Sequence, residues 1–246
     1  MDNVPRITVI VPALNEAETI TQAIRRVPYP PETVIVADNG STDGTRELAE
    51  GAGARVIRTA ARGYGRACLA GIDEASKPDV FVFLDADLSE APEDIPLLVR
   101  PIVCDEADLV LGARGGQGRP WHARAGTALC VWLINRLWGT RYQDLGPFRA
   151  IRASTLHALD MRDQTWGWTI EMQAKAAEHG FRCIEIPIVS HARAAGRSKI
   201  SGSFVGTVRA AVRMLETIAR LRLTRRRRYL SRPVVPTGPN GLSRSP

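Results

Sequence analysis

With 246 residues, the chain is long enough for one sizeable α/β domain and a short appendage, but hardly for two full domains. Its 44% apolar and 24% charged residues are ordinary for a globular protein, and no run of about 18 apolar residues is present to span a membrane. The net charge of +7 is localised: from Thr217 onward there are eight arginines and no acid, so the body is near neutral and a basic nucleic-acid-binding face is not expected.

The opening residues Met1 to Arg6 lack the basic and apolar regions of a secretory signal, which makes a cytoplasmic protein the expectation. Arg6 to Val11 (RITVIV) reads as a buried strand, Glu16 to Val27 as a helix and Thr33 to Ala37 as a second strand. The turn-rich Asp38-Asn39-Gly40-Ser41-Thr42-Asp43-Gly44 follows, with Ser41 or Thr42 able to cap a helix that begins near Asp43. Arg55 to Arg58 is a short strand, Gly65 to Ala75 a helix, and Val80 to Leu84 (VFVFL) a strongly buried strand. Pro92 suits the first position of a helix reaching Val103, and Ala107 to Leu111 is a further strand. Strands alternating with helices predict βαβ units on a mostly parallel sheet flanked by helices.

The second half is less regular. Trp121 to Trp138 reads as an apolar, aromatic-rich helix, Leu145 to Arg152 as extended chain, Thr169 to His179 as a helix ended by Gly180, and Arg182 to Val189 as a strand. His191 to Ser203 is rich in Gly, Ser and basic residues and reads as a mobile loop. Phe204 to Leu223 carries apolar residues at helical spacing, Arg225 to Arg228 follow, and from Pro233 onward the composition predicts disorder. The expected division is a catalytic unit over 1–203, an amphipathic helix with an Arg-rich end over 204–231, and a disordered tail over 232–246. The cysteines Cys68, Cys104, Cys130 and Cys183 are widely separated and show no metal-ligand spacing; reduced, mostly buried thiols are expected.

Ligands of an open parallel sheet bind at the carboxyl ends of its strands. Strand one ends in Pro12-Ala13-Leu14-Asn15-Glu16, strand two in Asp38, and the VFVFL strand in Asp85-Ala86-Asp87. In extended chain, residues two apart point the same way, so Asp85 and Asp87 face one site while Ala86 turns back to the sheet. Two carboxylates so close repel, and a divalent cation relieves that repulsion; Mg²⁺ favours one or two carboxylates together with substrate phosphates. The plainer alternative for the pair alone is one helix-capping and one solvated aspartate.

The order VPALNE, ADNGSTDGT and DADLSEAPED resembles the family 2 glycosyltransferases over roughly residues 6 to 215. The resemblance implies a GT-A fold, a nucleotide-sugar donor and a Mg²⁺ or Mn²⁺ cofactor. DLGPFRAIR, GWTIEMQAKAAEHG and RAAGRSKISGS are similar to bacterial relatives of dolichyl-phosphate mannosyl- and glucosyltransferases. Carried onto this chain, the resemblance implies that Pro12, Ala13 and Glu16 line the nucleotide pocket. It implies that Asp38 meets the base and that Asp85, Ala86 and Asp87 hold metal and diphosphate. The family's usual DDGSTD stands here with Asn39 as its second residue. Arg114 resembles a family arginine near the donor and acceptor phosphates. Arg193, Arg197 and Lys199 lie on the loop that resembles the family's acceptor loop, and Arg62, Gly63, Gly65 and Arg66 look like a loop near phosphate or base.

The family inverts at the anomeric carbon. A phosphate monoester acceptor is already anionic and needs positioning by Arg and Lys; a hydroxyl needs a carboxylate base, for which Asp144 and Glu171 are the candidates. Each has a plain alternative, Asp144 as a turn residue and Glu171 as a helix-surface residue. The expected reaction is hexose transfer from a UDP-sugar or GDP-mannose to a polyprenyl or dolichyl-type phosphate. The alternatives are transfer to a hydroxyl of a glycan or metabolite, or nucleotide-sugar binding without catalysis. The basic, amphipathic C-terminal stretch suits peripheral contact with an anionic membrane, or packing on the core with a solvated basic end.

Overall fold

The computed structural model describes residues 4–115, 121–191 and 204–230. Seven strands form one sheet: β1 (Ile7–Ala13), β2 (Val34–Asp38), β3 (Arg55–Arg58), β4 (Val80–Phe83), β5 (Leu109–Arg114), β6 (Arg149–Arg152) and β7 (Cys183–Ile188), in the spatial order β3-β2-β1-β4-β6-β5-β7. All pair in parallel except β6, which runs antiparallel to both β4 and β5. The chain therefore has the mostly parallel α/β sheet that its alternating elements predict, with one strand reversed.

Burial follows from the period of two along each strand. Val9, Val11, Val80 and Val82 face one core, and Ile10, Phe81 and Phe83 the other. Helices α1 (Ile20–Arg25), α2 (Thr45–Gly51) and α4 (Ile95–Val103) cover the first face with Ile20, Ile24, Ala49, Leu98 and Ile102. The second face is covered by α3 (Tyr64–Glu74), α5 (Trp121–Trp138), α6 (Ala153–Leu159), α7 (Trp168–His179) and α8 (Phe204–Leu230). A sheet covered on both sides needs continuous apolar strands, which is why VFVF is wholly buried.

Three sequence expectations are corrected, and one helix is added. Helix α1 starts at Ile20 and not near Glu16, because Asn15 turns the chain with a positive φ of 51° and Glu16 to Thr19 form a turn. Neither Ser41 nor Thr42 caps α2; its first flanking residue is Gly44, in a left-handed conformation (φ 84°) that glycine adopts without strain. Pro92 opens a short 3-10 turn, Pro92–Asp94, which leads into α4. Helix α6 follows β6 without a break, so the sequence shows no Gly or Pro to announce it.

Candidate active site

The sheet order reverses direction at β1, whose neighbours are β2 and β4, so the crevice beyond the carboxyl ends of β1 and β4 is the natural ligand position. Both walls of that crevice are tightly braced. After β1, the Asn15 backbone N–H donates to Ser41 Oγ at 2.9 Å, and its side-chain Oδ1 accepts the Thr42 N–H at 2.9 Å. The Glu16 N–H donates to Thr45 Oγ1 at 2.8 Å and the Ala17 N–H to Asp43 Oδ2 at 3.1 Å. NGSTDGT is thus a clamp between two strand ends, in which Asp43 also accepts the Thr45 N–H at 3.1 Å. Pro12 is half-buried and Ala13 and Glu16 are buried along this wall. Asp38 is also buried, and its Oδ1 accepts the Ser41 N–H at 2.9 Å.

Asn39, the departure from the family's second aspartate, has a definite task. Its Oδ1 accepts the Gly63 N–H at 2.9 Å and the Thr59 hydroxyl at 3.3 Å. The position needs an acceptor oxygen, which Asn and Asp both supply. An open hollow of about 580 Å³ lies here, lined by Asn39, Gly40, Arg58, Thr59 and Arg62. The neighbouring α3 starts against the segment Asp163 to Trp166. Gly65 and Arg66 donate their N–H groups to the carbonyls of Thr165 and Gln164 at 3.2 Å, Tyr64 stacks on Trp166, and the Arg66 guanidinium bonds Gln164 Oε1. A Cβ on Gly65 would lie 2.1 Å from the Asp163 carbonyl oxygen, so only glycine permits this approach.

Asp85 and Asp87 lie beyond the last β4 residue, Phe83, where the chain leaves the sheet and turns at Ala86 and Asp87. Ala86 is nonetheless buried in the core, and Asp87 is buried at 4% exposure while Asp85 is half-buried. Leu88 bends the chain with a φ of 58°, and Asp87 Oδ1 accepts the Ser89 N–H at 2.9 Å and the Ser89 hydroxyl in a short bond. Among the described residues no group of three or more His, Cys, Asp and Glu side chains makes a metal site by protein alone. Two carboxylates are instead the donor set of a hard cation that completes its shell with phosphate and water oxygens, and these residues fit such an ion.

The opposite wall is formed by β5 and the approach to β6. Asp144 Oδ2 accepts Arg114 Nε at 2.7 Å and the Arg114 backbone N–H at 3.2 Å, and its Oδ1 accepts Nη2 at 3.1 Å. Glu185 fixes the Asp144 backbone by accepting its N–H at 3.1 Å and that of Gln143 at 2.9 Å. Burial works against the Arg114 charge, but Asp144 first, then Glu90 and Asp85, together more than offset it and hold the guanidinium above its ordinary pKa. Arg114 and Asp85 are thereby within electrostatic reach of each other.

Glu90 is the residue that sequence reasoning missed, though it stands inside DADLSEAPED. It is 1% exposed, lies 3.9 Å from Arg114 Nη1, and meets the Ser89 hydroxyl through Oε2 at 3.2 Å. Burial pushes its carboxyl up to about 7; Asp87 and Asp144 add to that rise, while Arg114 and Ser89 oppose it. Glu90 also bridges to Ser190, and the His191 N–H donates to the Ser89 carbonyl at 2.8 Å, which brings the root of the basic loop to this turn. The loop residues Arg193, Arg197 and Lys199 lie outside the described residues.

Glu171 is buried and faces inward, not on a helix surface. Its Oε2 accepts the N–H groups of Arg162 at 2.9 Å and Asp163 at 2.6 Å, and its Oε1 pairs with Lys175 at 2.9 Å. Asp163 in turn accepts the Thr217 hydroxyl at 2.7 Å and Arg220 at 2.8 Å, tying α8 to the segment that braces α3. Arg149, wholly buried beneath the site, donates to the carbonyls of Gly146 and Thr169, and burial lowers its pKa to about 10.

The profile of glycosyl transferase family 2 matches residues 8–160, which span both walls of the crevice. The chain is a family 2 glycosyltransferase. This glycosyltransferase is 35% identical over 217 residues to an uncharacterized glycosyltransferase of Mycobacterium bovis, covering 87% of this chain and 98% of that one. It is 33% identical to an undecaprenyl-phosphate mannosyltransferase of Micrococcus luteus, covering 82% of this chain and 90% of the relative. In three dimensions it resembles the glucosyl-3-phosphoglycerate synthase of Mycobacterium tuberculosis, crystallised with Mn²⁺, UDP and phosphoglyceric acid. There the TM-score is 0.74 at 22% identity, over 89% of this chain and 78% of that one. That likeness shows the GT-A fold.

Proposed function

We propose that the glycosyltransferase moves a hexose from a UDP-sugar or GDP-mannose, with inversion, to a polyprenyl or dolichyl-type phosphate. The observation that carries this reading is the commitment of both candidate bases. Asp144 is engaged by Arg114 on both oxygens, and Glu171 by two backbone N–H groups and Lys175. A sugar hydroxyl needs a carboxylate in reach to take its proton. A phosphate monoester arrives as an anion and needs cations to orient it, which suits Arg114 and the basic residues Arg193 and Lys199. The relative named for transfer to undecaprenyl phosphate supports the same acceptor class.

On this reading Pro12, Ala13, Glu16 and Asp38 form the nucleotide wall and Arg66 stands beside it. Asp85, Ala86 and Asp87 receive the diphosphate end, and the two aspartates hold Mg²⁺ or Mn²⁺. Such an ion neutralises the charge that develops on the departing nucleotide diphosphate. Arg114, braced by Asp144, faces the phosphates, and Glu171 keeps the segment at α3 in place. A lipid acceptor also gives a role to the exposed Leu129 and Trp132 on α5 and Val212 and Leu223 on α8. With the arginines that follow, they suit an anionic membrane surface, where each basic residue contributes about 1 kcal/mol. Among the described residues no helix is long and apolar enough to cross a membrane.

The test is to incubate the purified chain and Mg²⁺ or Mn²⁺ with a panel of labelled nucleotide sugars, with and without polyprenyl phosphate. Label is expected in the lipid fraction. Transfer seen only with hydroxyl acceptors, and none to the lipid phosphate, overturns the reading.

A further inference from the structure

A carboxylate as buried as Glu90 is retained only where partners compensate its lost hydration. Its partners here are the two sides of the crevice. On one side lies the Arg114 guanidinium at 3.9 Å, itself held by Asp144. On the other lies the Ser89 hydroxyl at 3.2 Å, which bonds Asp87 Oδ1. At 1% exposure Glu90 cannot reach a substrate, so its effect must pass through these neighbours. Ser89 fixes the rotamer of Asp87 by occupying its Oδ1 from both backbone and side chain. Glu90 Oε2 packs at 3.2 Å against the Ser89 Oγ, whose single proton goes to Asp87, and so restrains Ser89 by contact. Its carboxyl lies 3.9 Å from Nη1 of the guanidinium that Asp144 orients.

We propose that Glu90 is a positioning residue that locks Asp87, through Ser89, and Arg114 into one arrangement, so that the diphosphate end of the donor and the acceptor phosphate meet in register. The chain Asp144, Arg114, Glu90, Ser89, Asp87 is the physical link between the two half-sites. The proposal rests on the reading of Asp87 as a metal ligand. Partners that orient metal ligands commonly contribute about 10- to 100-fold to metal affinity or activity.

The experiment compares Glu90→Ala, Glu90→Gln, Ser89→Ala and Asp87→Ala by Mn²⁺ titration followed by EPR, alone and with UDP or GDP. Thermal melting and the lipid-transfer assay are run on the same preparations. Glu90→Ala is expected to weaken Mn²⁺ binding and to lower kcat by about tenfold or more, with donor KM changed far less. Glu90→Gln keeps the size and a hydrogen-bonding group toward Ser89, and restores most of the Mn²⁺ affinity. Ser89→Ala breaks only the Asp87 branch, so it reproduces the Mn²⁺ defect with a smaller loss of kcat. A merely structural role would move the melting temperature and leave Mn²⁺ binding alone. If Glu90→Ala does not fold, Ser89→Ala decides, and wild-type Mn²⁺ affinity there overturns the proposal. Loss of Mn²⁺ in Asp87→Ala with none in Glu90→Ala or Ser89→Ala removes this proposal and leaves the metal reading standing. Unchanged Mn²⁺ binding in Asp87→Ala removes both.

Discussion

Asp144 grips Arg114 as a fork, with Oδ2 2.7 Å from Nε and Oδ1 3.1 Å from Nη2. A carboxylate so paired is a poor proton acceptor and a good brace, which bears directly on the chemistry of the acceptor side. If the pair acts as one unit, Asp144→Asn and Arg114→Lys lower kcat/KM by similar factors. The double variant is then no worse than the poorer single one, because effects within a unit do not add. Additive losses, or a loss confined to Asp144→Asn with a changed pH profile, would return Asp144 to the role of base.

The paired aspartates make a separate prediction. Asp87→Ala and Asp85→Ala should each abolish metal-dependent turnover, and EDTA should silence the parent protein until Mg²⁺ or Mn²⁺ is restored. Full activity of Asp87→Ala in EDTA would leave no place for a metal in the reaction.

How much of this was legible without coordinates differs from residue to residue. The placement of Asp38, Asp85 and Asp87 at the crevice was legible because each closely follows or ends a run of buried β-rich residues, and strand ends are where an open parallel sheet binds ligands. Glu90 could not. Its signal is a pairing with Arg114, 24 positions away, that only the sheet brings about. Helix α6 was missed because nothing breaks the chain between it and β6, and the reversal of β6 leaves no mark in local composition. Asp163 carries no signal of its role in the sequence, because its contacts to Thr217 and Arg220 come from the far end of the chain.

Glu90 should leave a pH signature in the metal-free protein. Its folded pKa, near 7, lies above its ordinary value of 4.5, so between those values the folded state holds a proton that the unfolded chain has released. Stability therefore falls as pH rises through that window and levels off above it, by up to about 3 kcal/mol. Chemical denaturation in EDTA from pH 4.5 to 8, compared with Glu90→Gln, measures it. An identical slope in the two proteins would contradict the assignment.

Arg149 is a stability element under the site. Replacement by methionine keeps much of its bulk but leaves the Gly146 and Thr169 carbonyls without their donor. A loss of more than about 3 kcal/mol is expected from denaturant melts, since buried acceptors left unmade are costly. A change below about 1 kcal/mol would mean that other groups satisfy those carbonyls.

The basic end of α8 gives a prediction about membranes. Arg220 and Leu221 belong to the folded body, through Asp163 and the core respectively, so the informative truncation is after Thr224. The parent chain should float with anionic liposomes and lose flotation at high salt, and the truncated chain should float less. Equal flotation of both would confine any membrane contact to the exposed side chains of α5 and the rest of α8.

The reversed strand β6 has a consequence for how such an enzyme changes over time. Because it runs against β4 and β5, the chain leaves the crevice rim at Arg114 and re-enters it at Asp144. Everything between, including α5, is an excursion that begins and ends at the same place. The excursion can lengthen, shorten or exchange its surface without shifting the strands that carry Asp38 or lead to Asp85 and Asp87. The segment that carries α5 and the wall built from β1, β2 and β4 are thereby separable parts, and the first can vary while the second is kept.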